Sequence, residues 1–246
     1  MNKKLLLPLL LIILTLFMTS CDLQPGTSDF TFELIGDSAY EITDYTGTDS
    51  IVEVPSSYKG LDVVKIGDSS FSVKVSIVEI ILPDTILVIG SDAFMGSFNL
   101  TTINLPDGIT LIGSNAFAYC SKLDDIVLPS SLKELGYGVF SGASSLSSIV
   151  IPEGVLKISY SSFASCSELT SVTLPASLTE IELMAFSSSG LVEITIPEGV
   201  TKMGTNVFIG CENLTIHIAE GTDMTLWDVS WNQSTNSMVV YDSGGE

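Results

Sequence analysis

LTTINLPDGITLIGSNAFAYC, residues 100–120, and LTSVTLPASLTEIELMAFSSS, residues 169–189, are two versions of one template. Both follow L-x-x-I-x-L-P-x-x-[LIV]-x-x-I-G-x-x-A-F-x-x-C/A, with substitutions at single columns. Sliding the chain along itself aligns Phe71, Phe94, Phe117, Phe140, Phe163, Phe186 and Phe208 at intervals of 23, 23, 23, 23, 23 and 22 residues. Pro83, Pro106, Pro129, Pro152, Pro175 and Pro197 keep the same beat. Seven phenylalanines in register exclude coincidence, and a period of this length is the signature of stacked supersecondary units.

Each unit predicts one short strand. In the second stretch, alternation turns Val172 and Leu174 to one face and Thr173 to the other. The proline that follows stops the strand, because it has no N–H to give to a ladder. A second extended piece runs to an Ile-Gly pair, where Gly67, Gly90, Gly113, Gly136 and Gly204 suit a tight corner. Ser159 and Glu182 stand in the same column, so a positive φ is not obligatory there. The small-residue stretch around each phenylalanine is expected to form a helical or 3₁₀ turn. No unit can bury its apolar side alone, but stacked units share one continuous core. The fold class expected is therefore a repeat solenoid of about seven 23-residue coils, with mainly short parallel β-strands. At the usual strand spacing such a stack spans roughly 34 Å. The seven phenylalanines would form its structural spine.

The pattern resembles the short leucine-rich repeats of BspA-like surface proteins over residues 51–222, including the lead-in TDSIVEVPSSYKGLDVVKIGDSSF at 48–71. BspA-like proteins are associated with adhesion to host proteins and to other bacteria. The resemblance thus implies a protein ligand, host or bacterial, at the cell surface.

The amino terminus reads MNKKLLLPLLLIILTLFMTSC. Lys3 and Lys4 precede an uncharged run that is short for a membrane span and suits a secretory signal. Small residues just before Cys21 resemble a bacterial lipobox. In that class of signal the thiol is diacylated and the new amino group acylated, which implies a lipid anchor at Cys21. Two or more acyl chains hold a protein stably to a membrane. The expected organisation is a signal peptide at 1–20, a lipid-anchored tether at 21–29, and an N-terminal cap and lead-in at 30–62. The solenoid follows at 63–222 and a C-terminal cap at 223–246. Localisation follows: exported, held to the cell envelope by lipid, and surface exposed.

All nine basic residues are lysine, against 29 acids, and the formal charge is −20. Loss of Lys3 and Lys4 with the leader would take it to −22. Such a surface repels nucleic acid, whose binding needs phosphate neutralisation by Lys and Arg. It also argues against electrostatic docking to anionic lipid. Acidity serves solubility, or draws cations or a basic partner. Cys120, Cys166 and Cys211 share the column three residues after a phenylalanine and lie two coils apart. At strand spacing that is about 10 Å, beyond disulfide reach, so three free buried thiols are expected.

Catalytic signals are poor. His217 is the one histidine, and no nucleophile elbow, zinc-protease motif or phosphate-binding glycine loop occurs. We therefore expect no enzyme, no metal and no cofactor. The column before the corner reads Lys65, Val88, Leu111, Glu134, Lys157, Glu180 and Lys202, and its last four members alternate in sign. Stacking would make them a ladder that fixes register. The candidate binding face is the outward side of the strands. Its central column is Ile81, Asn104, Val127, Val150, Thr173 and Thr195, and its flanking column is Glu79, Thr102, Asp125, Ser148, Ser171 and Glu193. Two other readings stay open: an envelope scaffold without a host ligand, and a carbohydrate-binding or carbohydrate-cleaving solenoid.

Overall fold

The computed structural model describes residues 27–242, so the expected signal peptide and the expected lipid site at Cys21 lie outside the described residues. The described chain is a parallel β-solenoid. One wall, the strand wall, is built from Ile51–Glu53, Glu79–Ile81, Thr102–Ile103, Ser148–Val150, Ser171–Thr173, Glu193–Ile196, Thr215–Ala219 and Met238–Asp242. A second wall carries the pieces before the corner. These are Leu61–Ile66, Val88–Ile89, Leu111–Ile112, Glu134–Leu135, Lys157–Ile158, Glu180–Ile181, Lys202–Met203 and Leu226–Trp227. Like residues of successive coils face one another, as in Val150 with Thr173 and Glu180 with Lys202.

The stack has about nine coils rather than seven. The excess lies at the C-terminal end. Ile51–Glu53 opens the coil that carries Pro55 and Phe71, and pairs in parallel with Glu79–Ile81. Beyond the coil of Phe208, Thr215–Ala219 and Met238–Asp242 start two more and pair in parallel, as Leu226–Trp227 does with Lys202–Met203. These last two coils keep the strand positions but lose the Phe-Pro beat, which is why the repeat alone undercounts them. An antiparallel hairpin, Phe30–Ile35 with Ala39–Tyr45, lies against the first coil.

The third wall corrects the expected helical or 3₁₀ turn: among the described residues there is no helix. The chain runs instead as linked turns. Around Phe94, the amides of Met95 and Ser97 donate to Asp92 and Phe94 carbonyls at 3.0 and 3.1 Å. The amides between them reach the next coil: Asp92 to Ser114, Phe94 to Ala116 and Gly96 to Ala118, each 2.8 Å. Residues two before and two after each spine phenylalanine have positive φ, for example Asp92 (56°) and Gly96 (70°), or Asn115 (53°) and Tyr119 (59°). A left-handed residue every fourth position interrupts any right-handed helix and turns alternate amides outward toward the neighbour. The arc thereby satisfies its backbone locally and between coils at once.

All seven phenylalanines are fully buried. Successive ring centroids are 5.4, 5.2, 5.5, 5.6, 5.4 and 5.7 Å apart, and the last five pairs lie within 15° of parallel. The coil repeat imposes this geometry, since each ring is nearly a translated copy of the one below. Burying one such side chain is worth roughly 1.5–3 kcal/mol. Tyr45 stacks on Phe71 at 5.4 Å at one end, and Trp231 meets Phe208 edge-on at 6.2 Å at the other.

The glycine corner has a different cause from the one its residue type suggests. Gly67, Gly90, Gly113, Gly136 and Gly204 are not among the positive-φ residues. Coil proximity selects them: a Cβ at Gly113 would stand 2.6 Å from the Gly90 carbonyl carbon and the Ser91 nitrogen.

Candidate binding face

The strand wall presents the expected columns in one register. Glu79 opposes Thr102, Ser148 opposes Ser171, and Val150 opposes Thr173. Thr195 opposes His217, and Glu193 opposes Thr215. Alternation along each strand buries Ile80, Ile103, Ile149, Val172 and Ile194 and leaves their neighbours outside. Val127 is 75% and Val150 64% exposed, while Ile81 is 39% exposed. Thr102, Asn104, Asp125, Ser148, Ser171, Thr173, Glu193 and Thr195 are exposed as well. The outer coils lengthen the face by Ile51 and Glu53 on one side and His217, Met238 and Val240 on the other. The repeat already sets His217 in this column; the expected face did not extend to Ile51, Glu53, Met238 or Val240.

Asn104 differs from its column. Its Oδ1 accepts the Leu82 N–H at 2.7 Å, and its Nδ2 donates to the Leu82 carbonyl at 2.9 Å. The amide takes the role that a backbone carbonyl plays elsewhere, as where the Val54 N–H donates to Ile81 at 2.9 Å. Asn104 therefore clips two coils together.

The strand wall is not one unbroken ladder. Among the described residues, 125–127 form no strand and separate Thr102–Ile103 from Ser148–Val150. A second break separates Ser171–Thr173 from Glu193–Ile196, where the unit shortens by one residue. A groove lies at each break, about 550 Å³ beside Thr102, Asn104 and Asp125, and about 600 Å³ between Thr173 and Thr195.

The second wall breaks once, between Glu134–Leu135 and Lys157–Ile158, at the first coil whose corner glycine is replaced. In other coils the corner amide donates to the preceding coil, as Gly136 does to Ile112 at 2.9 Å. At Ser159 the hydroxyl donates to the Leu135 carbonyl instead, at 2.9 Å. The Ser159 hydroxyl bridges the opening, whereas at Glu182, the other non-glycine corner, the amide still donates to Ile158 at 2.9 Å. The result is a groove of about 760 Å³ lined by Lys133, Glu134, Tyr137, Leu156, Lys157 and Glu182. Its only advance sign in the sequence is the pair of non-glycine residues in the corner column.

The charge ladder is partly redirected. Lys202 lies 3.9 Å from Glu180, in the expected register. Lys157 bonds Glu182 at 3.0 Å rather than Glu180. Glu182 also accepts the Tyr160 N–H at 2.9 Å, so a corner residue that replaces glycine holds a lysine and a backbone amide together. The hydrogen bond from Lys157 to Glu182 raises the lysine pKa.

Cys120, Cys166 and Cys211 are free and buried. Each Sγ lies 3.1 Å from a phenylalanine carbonyl of the preceding coil: Phe94, Phe140 and Phe186. Burial pushes the Cys120 and Cys166 thiols up to about 12, and raises that of Cys211. They stay protonated and serve as small packers that cap carbonyls. His217 sits 3.3 Å from Glu193 on the strand wall, with no thiol beside it. No group of three or more metal-ligating side chains converges among the described residues.

Stacked parallel strands, a buried aromatic column and a leucine-rich beat define the class as a leucine-rich-repeat solenoid. The chain belongs to the family of the BspA type leucine rich repeat region, which it matches in six copies over residues 52–167 and 87–215. It is similar to a leucine rich cell surface protein from Faecalibacterium prausnitzii A2-165, with 35% identity and a TM-score of 0.73, over 78% of this chain and 53% of that one. The chain thus spans about half the length of that protein. It also resembles the leucine rich repeat protein of T. pallidum, TpLRR, with 30% identity and a TM-score of 0.57, over 76% of this chain and 88% of that one. No curated protein matches the chain.

Proposed function

We propose that this chain is an exported surface protein, anchored by lipid on Cys21, that holds protein partners on its strand wall and so serves adhesion. The observation that carries the reading is the wall itself. It repeats short side chains in fixed register over about nine coils, with Val127 and Val150 largely exposed at its centre. A rigid lattice of this kind meets a partner without first losing much conformational entropy. The similarity to a cell surface protein of F. prausnitzii supports placement at the surface.

The test uses bacterial cells expressing the full chain and adhering to a surface coated with matrix and serum proteins. Replacing both Val127 and Val150 by arginine should abolish adhesion while leaving the melting temperature unchanged. Cys21→Ala should release the protein from the membrane fraction. Adhesion unaffected by the double substitution would reject the wall as the contact face, and retention of the Cys21→Ala protein would reject the anchor.

A further inference from the structure

We infer that the partner held by the strand wall is a basic polypeptide, one with lysine or arginine side chains set among apolar ones; this rests on the wall being the contact face. The charges of the molecule are segregated by wall. From residue 50 to residue 242, no lysine falls within a strand-wall segment or its proline bend, while Glu53, Glu79, Asp124, Asp125, Glu193 and Glu198 stand there. The described lysines lie elsewhere. Lys65, Lys133, Lys157 and Lys202 are on the second wall, Lys74 and Lys122 follow the phenylalanine turns, and Lys59 precedes the first corner. Four of them pair with carboxylates of other segments: Lys65 with Glu41 at 2.7 Å, Lys74 with Asp44 at 3.0 Å, Lys157 with Glu182 at 3.0 Å, and Lys202 with Glu180 at 3.9 Å.

General acidity does not require this arrangement, because lysines scattered over all sides would leave the same net charge. Three acids of the wall, Glu53, Glu79 and Asp125, make no side-chain hydrogen bond or ion pair with another described residue. Their charge is left for a partner. Between them stand Ile51, Ile81, Val127 and Val150, exposed at 54, 39, 75 and 64%. An acidic face with an apolar centre matches a chain that alternates cationic and apolar side chains. Complementary charge of this kind speeds encounter and excludes acidic competitors. The facing sheet would also repel a second copy of this chain, whose own wall carries the same sign.

The experiment compares two variants of equal net charge, both made in the full chain. The first reverses Glu53, Glu79 and Asp125 to lysine. The second reverses Asp37, Asp62 and Glu134, exposed acids off the strand wall. The probe is a synthetic peptide alternating lysine and valine, titrated at low and at physiological salt. We expect the first variant to bind at least about tenfold more weakly than the unchanged chain, the second within about threefold of it, and salt to narrow the gap. Equal weakening by both variants would mean that net charge alone attracts the peptide, and would overturn the inference. So would failure of the unchanged chain to bind the peptide. If the arginine pair at Val127 and Val150 abolishes adhesion while the two charge variants adhere equally, the contact face stands and its basic partner falls.

Discussion

A single methyl group sets the distance between coils. Gly113 has ordinary φ, yet an added Cβ would press on the backbone of the coil beneath it at 2.6 Å. Gly113→Ala should therefore cost about 1–3 kcal/mol in denaturant unfolding, as overpacking does. Ser159→Ala tests the opposite repair. It removes the donor to the Leu135 carbonyl and should cost roughly 0.5–1.5 kcal/mol. The cysteines give a pH signature at the same scale. Their folded pKa is raised, so the thiols favour the folded state fully below the unfolded value of about 8.5. That contribution is lost as pH rises toward about 12. The melting temperature should fall more steeply above pH of about 9 than in a variant with alanine at Cys120, Cys166 and Cys211, since alanine already fills this column at Ala143. Equal slopes would mean that the thiols titrate as if exposed.

At the scale of the element, much was legible because the strands, prolines and phenylalanines repeat in columns. The outward face could be read by alternation alone, and the cysteine spacing already ruled out disulfides. The turn wall could not. Its positive-φ positions carry Ser, Asp, Asn, Gly, Met, Val and Tyr, so composition hides a conformation that coil-to-coil hydrogen bonds enforce. Asn104 was hidden in the same way, since its exposed position does not reveal that its amide is spent on Leu82. Alternating signs in the sequence point Lys157 at Glu180, whereas the carboxylate it bonds is that of Glu182, two residues on. Reversing Lys157 to glutamate should cost roughly 0.2–1 kcal/mol at low salt and less at high salt, as an exposed pair would. A loss independent of salt would place the effect in packing instead. The same charge reversal at Lys59, which lies outside the ladder, serves as the control.

For the whole molecule, the account depends on equivalence in the core: the aromatic column runs on from coil to coil, beneath a strand wall that opens at two places. The net charge of −20 opposes this compaction, so added salt should raise the melting temperature of the unchanged chain. The measurement that bears most directly on the stacked core is an alanine scan down the aromatic column, at Phe94, Phe117, Phe140, Phe163 and Phe186, read as unfolding free energy. Each substitution is expected to cost a similar amount, roughly 3–5 kcal/mol, with loss of folding as its upper limit. Costs below about 1 kcal/mol, or costs that differ widely from one coil to the next, would contradict a common spine and the regular face built on it.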